Sequence, residues 1–127
     1  MSRVPIGIVG IGMVGGQLAR YFFEERKYER GKDLFLFDAN LTKGYTDDVN
    51  AASVVFMCVP TPRNADTGAC DLSILEEALA RLGDSKVVVF KSTVPPGTTE
   101  RMQKKFPQHA FLFSPEFLTE SRAWEDM

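Results

Sequence analysis

Five short apolar runs recur along the chain: Ile6-Gly7-Ile8-Val9, Leu34-Phe35-Leu36-Phe37, Val54-Val55-Phe56-Met57-Cys58-Val59, Val87-Val88-Val89-Phe90 and Phe111-Leu112-Phe113. None alternates strictly with polar residues, which is the pattern of strands buried on both faces of a parallel sheet. Buried helix segments share that pattern. The shortness of the runs, and their bounding Gly, Pro, Asp and Ser residues, favour strands.

The stretches between the runs have helical period. Val14, Leu18, Tyr21 and Phe22 recur at i, i+4, i+7 and i+8, and a charged exit over residues 24–30 ends near Gly31. After the third run, Asp71 is a candidate N-cap. Leu75, Ala78, Leu79 and Leu82 then form one apolar stripe, and Gly83 stands where a C-terminal cap belongs. After the fourth run, Pro96-Gly97-Thr98 opens a shorter helix that carries Met102 and Phe106 and stops before Pro107. Such alternation predicts right-handed crossovers and a doubly wound, mainly parallel α/β sheet in three layers. One connection is short. Residues 39–53 alone join the second and third runs, close to the minimum of about a dozen for a parallel crossover. A stub helix or irregular loop is expected there, around residues 47–52.

Composition narrows the classes. A chain of 127 residues suits one domain, residues 1–127, and 44% hydrophobic with 25% charged residues is ordinary for a globular protein. A net charge of -2 offers no basic excess for nucleic acid or an anionic membrane. No apolar run is long enough for a transmembrane span, and no signal or transit peptide is expected. Two cysteines, Cys58 and Cys70, are too few for a disulfide framework and fit a reducing cytoplasm. With one histidine, His109, they lack metal-ligand spacing, so no metal is expected. His109 itself reads as a surface turn residue.

The strongest chemical signal is Gly10-Ile11-Gly12-Met13-Val14-Gly15, directly after the first run and opening the first helix. Gly10 permits a tight turn, Gly12 lets backbone approach a pyrophosphate, and Gly15 lets helix pack on strand. Met13 and Val14 begin the helix, whose N–H groups and positive dipole end favour an anion. Asp38 closes the second run, 23 residues after Gly15. An acidic residue there accepts hydrogen bonds from the adenosine ribose and repels a 2′-phosphate, so NAD is the expected cofactor. The plainer alternative is that Asp38 caps a turn with Asn40. Lys43 either approaches the ribose or diphosphate or is a solvated loop lysine.

Ligands in such folds sit at the carboxyl ends of the strands. There lie Cys58-Val59-Pro60-Thr61-Pro62, Ser92-Thr93-Val94-Pro95-Pro96-Gly97-Thr98 and Ser114-Pro115-Glu116-Phe117-Leu118-Thr119-Glu120. Each sets a hydroxyl or carboxylate beside proline-stiffened backbone, suited to a positioning loop. Without further information Glu116 and Glu120 read as a solvated acidic loop.

Together with the glycine turn, Asp38 and the segment from Gly68 to Asp71-Leu72-Ser73, these motifs resemble the N-terminal, NAD-binding part of the UDP-glucose/GDP-mannose dehydrogenase family. The resemblance implies a Rossmann-type domain. It also implies oxidation of a sugar-nucleotide primary alcohol to the carboxylate in two hydride transfers to NAD. It assigns Pro60, Thr61, Ser92 and Thr93 to the cofactor, near the diphosphate and nicotinamide. It places Glu116 on the substrate side and Glu120 near the reacting centre, so Thr93, Glu116 and Glu120 are auxiliary catalytic candidates.

There are departures. The second crossover is shortened, Ser114 stands where asparagine is usual, and Thr119 where a basic residue is common. The family's nucleophilic cysteine, catalytic lysine, dimerising central helix and C-terminal substrate domain have no counterpart in these 127 residues. The expectation is NAD binding with little or no turnover, the nucleotide sugar and the homodimer contact belonging to the missing half. Three alternatives remain: a hydroxyacid- or imine-type dehydrogenase N-terminal domain, a non-catalytic nucleotide-binding module, or a truncated remnant.

Overall fold

Strands that are apolar throughout need cover on both faces, and the chain supplies it by placing helices on alternate sides of one sheet. The structure, a computed structural model, describes residues 4–62, 66–68, 71–83, 85–91, 94–95 and 97–114. Its strands are β1 (Ile6–Val9), β2 (Leu34–Phe37), β3 (Val54–Met57), β4 (Val87–Phe90) and β5 (Ala110–Phe113). They form one parallel sheet in the order β2-β1-β3-β4-β5. Helices α1 (Met13–Glu24), α2 (Ser73–Ala80) and α3 (Thr98–Lys105) connect them. The expected doubly wound sheet is present, and all five of its strands run parallel.

The layers follow the apolar periods. Leu18 of α1 packs with Ile6, Ile8, Leu34 and Leu36 on one face. Leu75 and Leu79 of α2 and Met102 of α3 pack with Val55, Val88 and Phe90 on the other. The chain leaves β1 for β2 on one side and later takes β3 on the other. The crevice between β1 and β3 is therefore the switch point at which such sheets bind ligands.

Three local expectations need correction. Asp71 accepts from Ser73 N at 2.9 Å, but Leu72 is the N-cap of α2. The helix ends at Arg81 in right-handed conformation, so Gly83 is not its cap. The Gly83 N–H instead meets Asn50 Oδ1 at 2.8 Å, because the neighbouring crossover supplies an acceptor. The third run gives a strand only to Met57, although Cys58 N still donates to Val9 O at 2.8 Å.

The short crossover is built without an α-helix. Two single 3₁₀ turns, Leu41–Lys43 and Val49–Ala51, are capped by Asn40 and Asp48. Between them the chain doubles back along the outer edge of β2, with Asp38 N on Tyr45 O and Asp47 N on Leu36 O. Asp47 locks this return. Its carboxylate accepts from Arg30 Nε at 2.8 Å and Leu36 N at 2.9 Å. Burial acts to raise the Asp47 pKa, but these donors prevail and hold it below the usual carboxylate value.

His109 is not a surface residue. It is 2% exposed, and its Nδ1 accepts from Lys86 N at 3.1 Å. Lys86 is itself buried, donating from Nζ to Asn50 O at 2.9 Å and Ala52 O at 2.7 Å. The Pro107-Gln108 turn tucks the imidazole inward, against Phe111. A polar residue in a turn gives no sign of this, since the donor to its ring, Lys86 N, lies 23 residues away in sequence. With Nδ1 accepting, the neutral ring carries its proton on Nε2, which is buried and faces the Leu82 carbonyl without a well-formed hydrogen bond. Burial first, then the Lys86 cation, hold the His109 pKa below the ordinary histidine value against the opposing Leu82 carbonyl.

A histidine kept neutral by folding stabilises the chain above its unfolded pKa. That contribution is lost as pH falls through the lower folded value. The urea midpoint is therefore expected to drop as pH is lowered from about 7 toward 5. His109→Asn retains an acceptor for Lys86 N and should flatten that slope. Lys86→Met removes the donor to the Asn50 and Ala52 carbonyls, the latter buried, and should cost about 1–3 kcal/mol at an unchanged denaturant slope.

Candidate functional site

The turn after β1 is dictated by two glycines that tolerate no Cβ. Gly10 has a φ of +92°, and a Cβ there would lie 2.8 Å from the Cys58 carbonyl carbon and oxygen. A Cβ on Gly15 would strike the Gly10 carbonyl, because α1 starts hard against the strand end. Gly12 is different: nothing lies within 4 Å of its Cβ direction. Its openness is not a packing requirement of the described chain, and it leaves room for another molecule. Gly12 is also the N-cap of α1, with no side-chain cap and no acidic residue in the first turn. The helix therefore presents uncapped N–H groups and the positive end of its dipole at an open surface. Met13 is exposed beside it, while Val14 is half-buried against the α1 face of the sheet.

Asp38 ties this turn to the end of β2. Its Oδ2 accepts from Ile11 N at 2.8 Å and its Oδ1 from Asn40 N at 2.8 Å. The turn cap with Asn40 is present, and the other oxygen faces the glycine loop. Lys43 is returned to the site by the Leu41–Lys43 turn, donating to Ile11 O at 3.1 Å and standing 3.4 Å from Asp38 Oδ2. Burial acts to raise the Asp38 pKa. The Asn40 and Ile11 N–H groups and Lys43 outweigh it, so the carboxyl is held below its usual value. A carboxylate accepts about four hydrogen bonds. Three donors, one of them long, leave room for an incoming hydroxyl.

Across the crevice, Val59 is buried, Pro60 is exposed and Thr61 is half-buried. Pro62 O accepts from Asp71 N at 2.6 Å, which anchors this loop to the start of α2. Farther along the sheet, Lys91 Nζ lies 3.4 Å from Ser114 Oγ, joining the ends of β4 and β5. Ser92, Thr93, Glu116 and Glu120, expected at the site, lie outside the described residues, as does Cys70. Cys58 packs in the α1-side cluster, in keeping with its reading as a small apolar residue. Among the described residues no group of His, Cys, Asp and Glu is arranged to hold a metal ion.

Beside Asp38 a cavity of about 310 Å³ opens on the α2 face of the sheet. Val9, Phe37 and Val59 line it from the strand ends, and Ile74 and Ala78 from α2. Arg81 also lines it, its Cζ 5.4 Å from the centre of the Phe37 ring. Sequence reading missed Arg81, which lies just past the apolar stripe of α2 and carries no motif. Gly10, Gly12, Asp38 and Lys43 are thus brought into one site, with the cavity as its extension. No described helix is long and apolar enough to cross a membrane.

Comparison with known proteins identifies the family of the chain. A family model for the UDP-glucose/GDP-mannose dehydrogenase family, NAD binding domain, matches residues 28–127. UDP-glucose 6-dehydrogenase of Rickettsia bellii is 31% identical over 118 residues, covering 87% of this chain and 25% of that protein. The enzyme of the same name from Pseudomonas aeruginosa is 39% identical over 105 residues, covering 71% of this chain and 22% of that protein. The chain thus spans about a quarter of the length of the curated relatives it matches. In three dimensions it is similar to an NDP-N-acetyl-D-galactosaminuronic acid dehydrogenase from Methanosarcina mazei Go1, with a TM-score of 0.67. That match covers 96% of this chain and 36% of the other at 18% identity, a likeness of fold alone. The chain belongs to the UDP-glucose/GDP-mannose dehydrogenase family, as its NAD-binding domain.

Proposed function

We propose that this chain binds NAD and contributes the cofactor half of a nucleotide-sugar 6-dehydrogenase, without completing turnover on its own. The observation that carries the reading is the open Gly12 front at an uncapped helix N-terminus, closed on one side by Asp38. The diphosphate would be met by the first N–H groups of α1, which cost no reorganisation because the helix already holds them. Asp38 would receive the adenosine ribose hydroxyls, with Lys43 moving from Asp38 toward the diphosphate. Pro60 and Thr61 border the crevice through which the cofactor crosses the sheet. Ser92 and Thr93 are assigned to its nicotinamide end, and Glu116 and Glu120 to the substrate side, by their match to the family's motifs.

When bound, NAD accepts hydride from a sugar-nucleotide alcohol carbon. The chain's own part is to orient the cofactor and keep the adenosine end fixed. The nucleophilic cysteine and the sugar-binding residues are assigned to the part of the family architecture that these 127 residues do not contain. The relatives' shared name, UDP-glucose 6-dehydrogenase, supports a UDP-sugar as substrate of the complete assembly. A reducing cytoplasmic setting suits this chemistry.

Calorimetric titration of the chain with NAD tests the reading: saturable one-to-one heat is expected, with no UDP-glucose oxidation. Absence of heat and of any thermal shift contradicts cofactor binding, while measurable oxidation contradicts the division of labour. Two glycine variants separate site from scaffold. Gly12→Ala has open space around it, so its unfolding free energy should stay within about 1 kcal/mol of wild type while NAD affinity falls at least about tenfold. Gly15→Ala must displace the Gly10 carbonyl, so it should lose both stability and binding. Asp38→Ser removes the charge that repels a 2′-phosphate. It should lower the NAD-over-NADP affinity ratio by about tenfold or more, read from paired titrations.

A further inference from the structure

Resting on the reading of this site as an NAD site, we propose that Arg81 is a positioning residue for the cofactor: its guanidinium stacks on the adenine base within the cavity beside Asp38. If Asp38 fixes the adenosine ribose, the base on that sugar is confined to its immediate neighbourhood. Ala39, the next residue, lines the cavity, and the Val9, Phe37 and Val59 side chains make its apolar floor. A volume of about 310 Å³ is at the lower end for small-molecule sites and suits one flat heterocycle.

The short crossover makes Arg81 decisive. With only a 3₁₀ turn at Val49–Ala51 on this side, no α-helix of the crossover covers the Phe37 ring. Arg81 reaches over it instead. Its root is held: Asn50 Nδ2 donates to Arg81 O at 3.1 Å, and Asn50 Oδ1 accepts from Gly83 N. The acidic groups on the opposite wall are engaged elsewhere, Asp47 by Arg30 and Leu36 N, and Asp48 by Asn50 N. No described carboxylate forms an ion pair with Arg81. A planar cation over an apolar floor, near a ring it already faces, is matched to the π-face of a purine.

The test compares wild type, Arg81→Ala and Arg81→Lys by calorimetry with NAD and ADP-ribose, and by iodide quenching of bound etheno-ADP-ribose. Arg81→Ala is expected to weaken both ligands alike, by about five- to twenty-fold, and to expose the etheno-adenine to iodide. Arg81→Lys keeps the charge and the helix end but loses the planar fork, so it should recover less than half of that loss on a logarithmic scale. Wild-type affinity and shielding in Arg81→Ala overturn the proposal. Should Arg81→Ala fail to fold, full affinity in Arg81→Lys overturns it equally. If wild type binds neither NAD nor ADP-ribose, the failure lies in the reading of the site and not in Arg81 alone.

Discussion

The 2.8 Å hydrogen bond from Ile11 N to Asp38 Oδ2 links the two halves of the candidate site. It joins the glycine turn after β1 to the end of β2, elements that chain connectivity separates by a full helix. A turn rich in glycine is free in the unfolded chain and costs more entropy to fix than any other. A partly buried carboxylate offsets that cost best as the charged form, whose charge-assisted bonds are the stronger ones. The bond therefore fixes the loop and keeps the carboxylate ionised. Under the proposed reading, an ionised group at that place would disfavour a ligand carrying a 2′-phosphate.

The crossover after Asp38 shows how little structure is needed to return the chain to the sheet. Asp47 and Arg30 replace a helix, with one carboxylate satisfying a guanidinium and the β2 backbone together. Lys86 performs the matching task at the opposite end of the strands, gathering the carbonyls of Asn50 and Ala52. Both anchors hold the crossover against the sheet while leaving the α2 face beside Phe37 open. The economy of the connection and the cavity next to Asp38 thus have one cause.

The strands, the alternation of helices and the glycine-to-aspartate pairing were legible because each is a local pattern: an apolar run, a 3.6-residue stripe, a turn that needs glycine. His109 and Arg81 were not. The burial of His109 depends on Lys86, 23 residues away, and the position of Arg81 depends on the missing crossover helix. Asp71 and Gly83 were legible as turn and cap chemistry but shifted in role, since Asn50 offered Gly83 a side-chain acceptor. Long-range polar partners leave no periodic trace, and the length of a connection says that space is left but not which side chain enters it.

The proposed division of labour makes NAD binding by this chain separable from turnover. The most direct test is amide chemical-shift mapping of the isotope-labelled chain during titration with NAD. The account predicts that the largest, saturable changes fall on the Gly10 to Val14 turn, Asp38, Ala39 and the Val59 to Thr61 loop. The Lys86–His109 end of the sheet should remain still. Changes centred on that opposite end, or none at all, would contradict it.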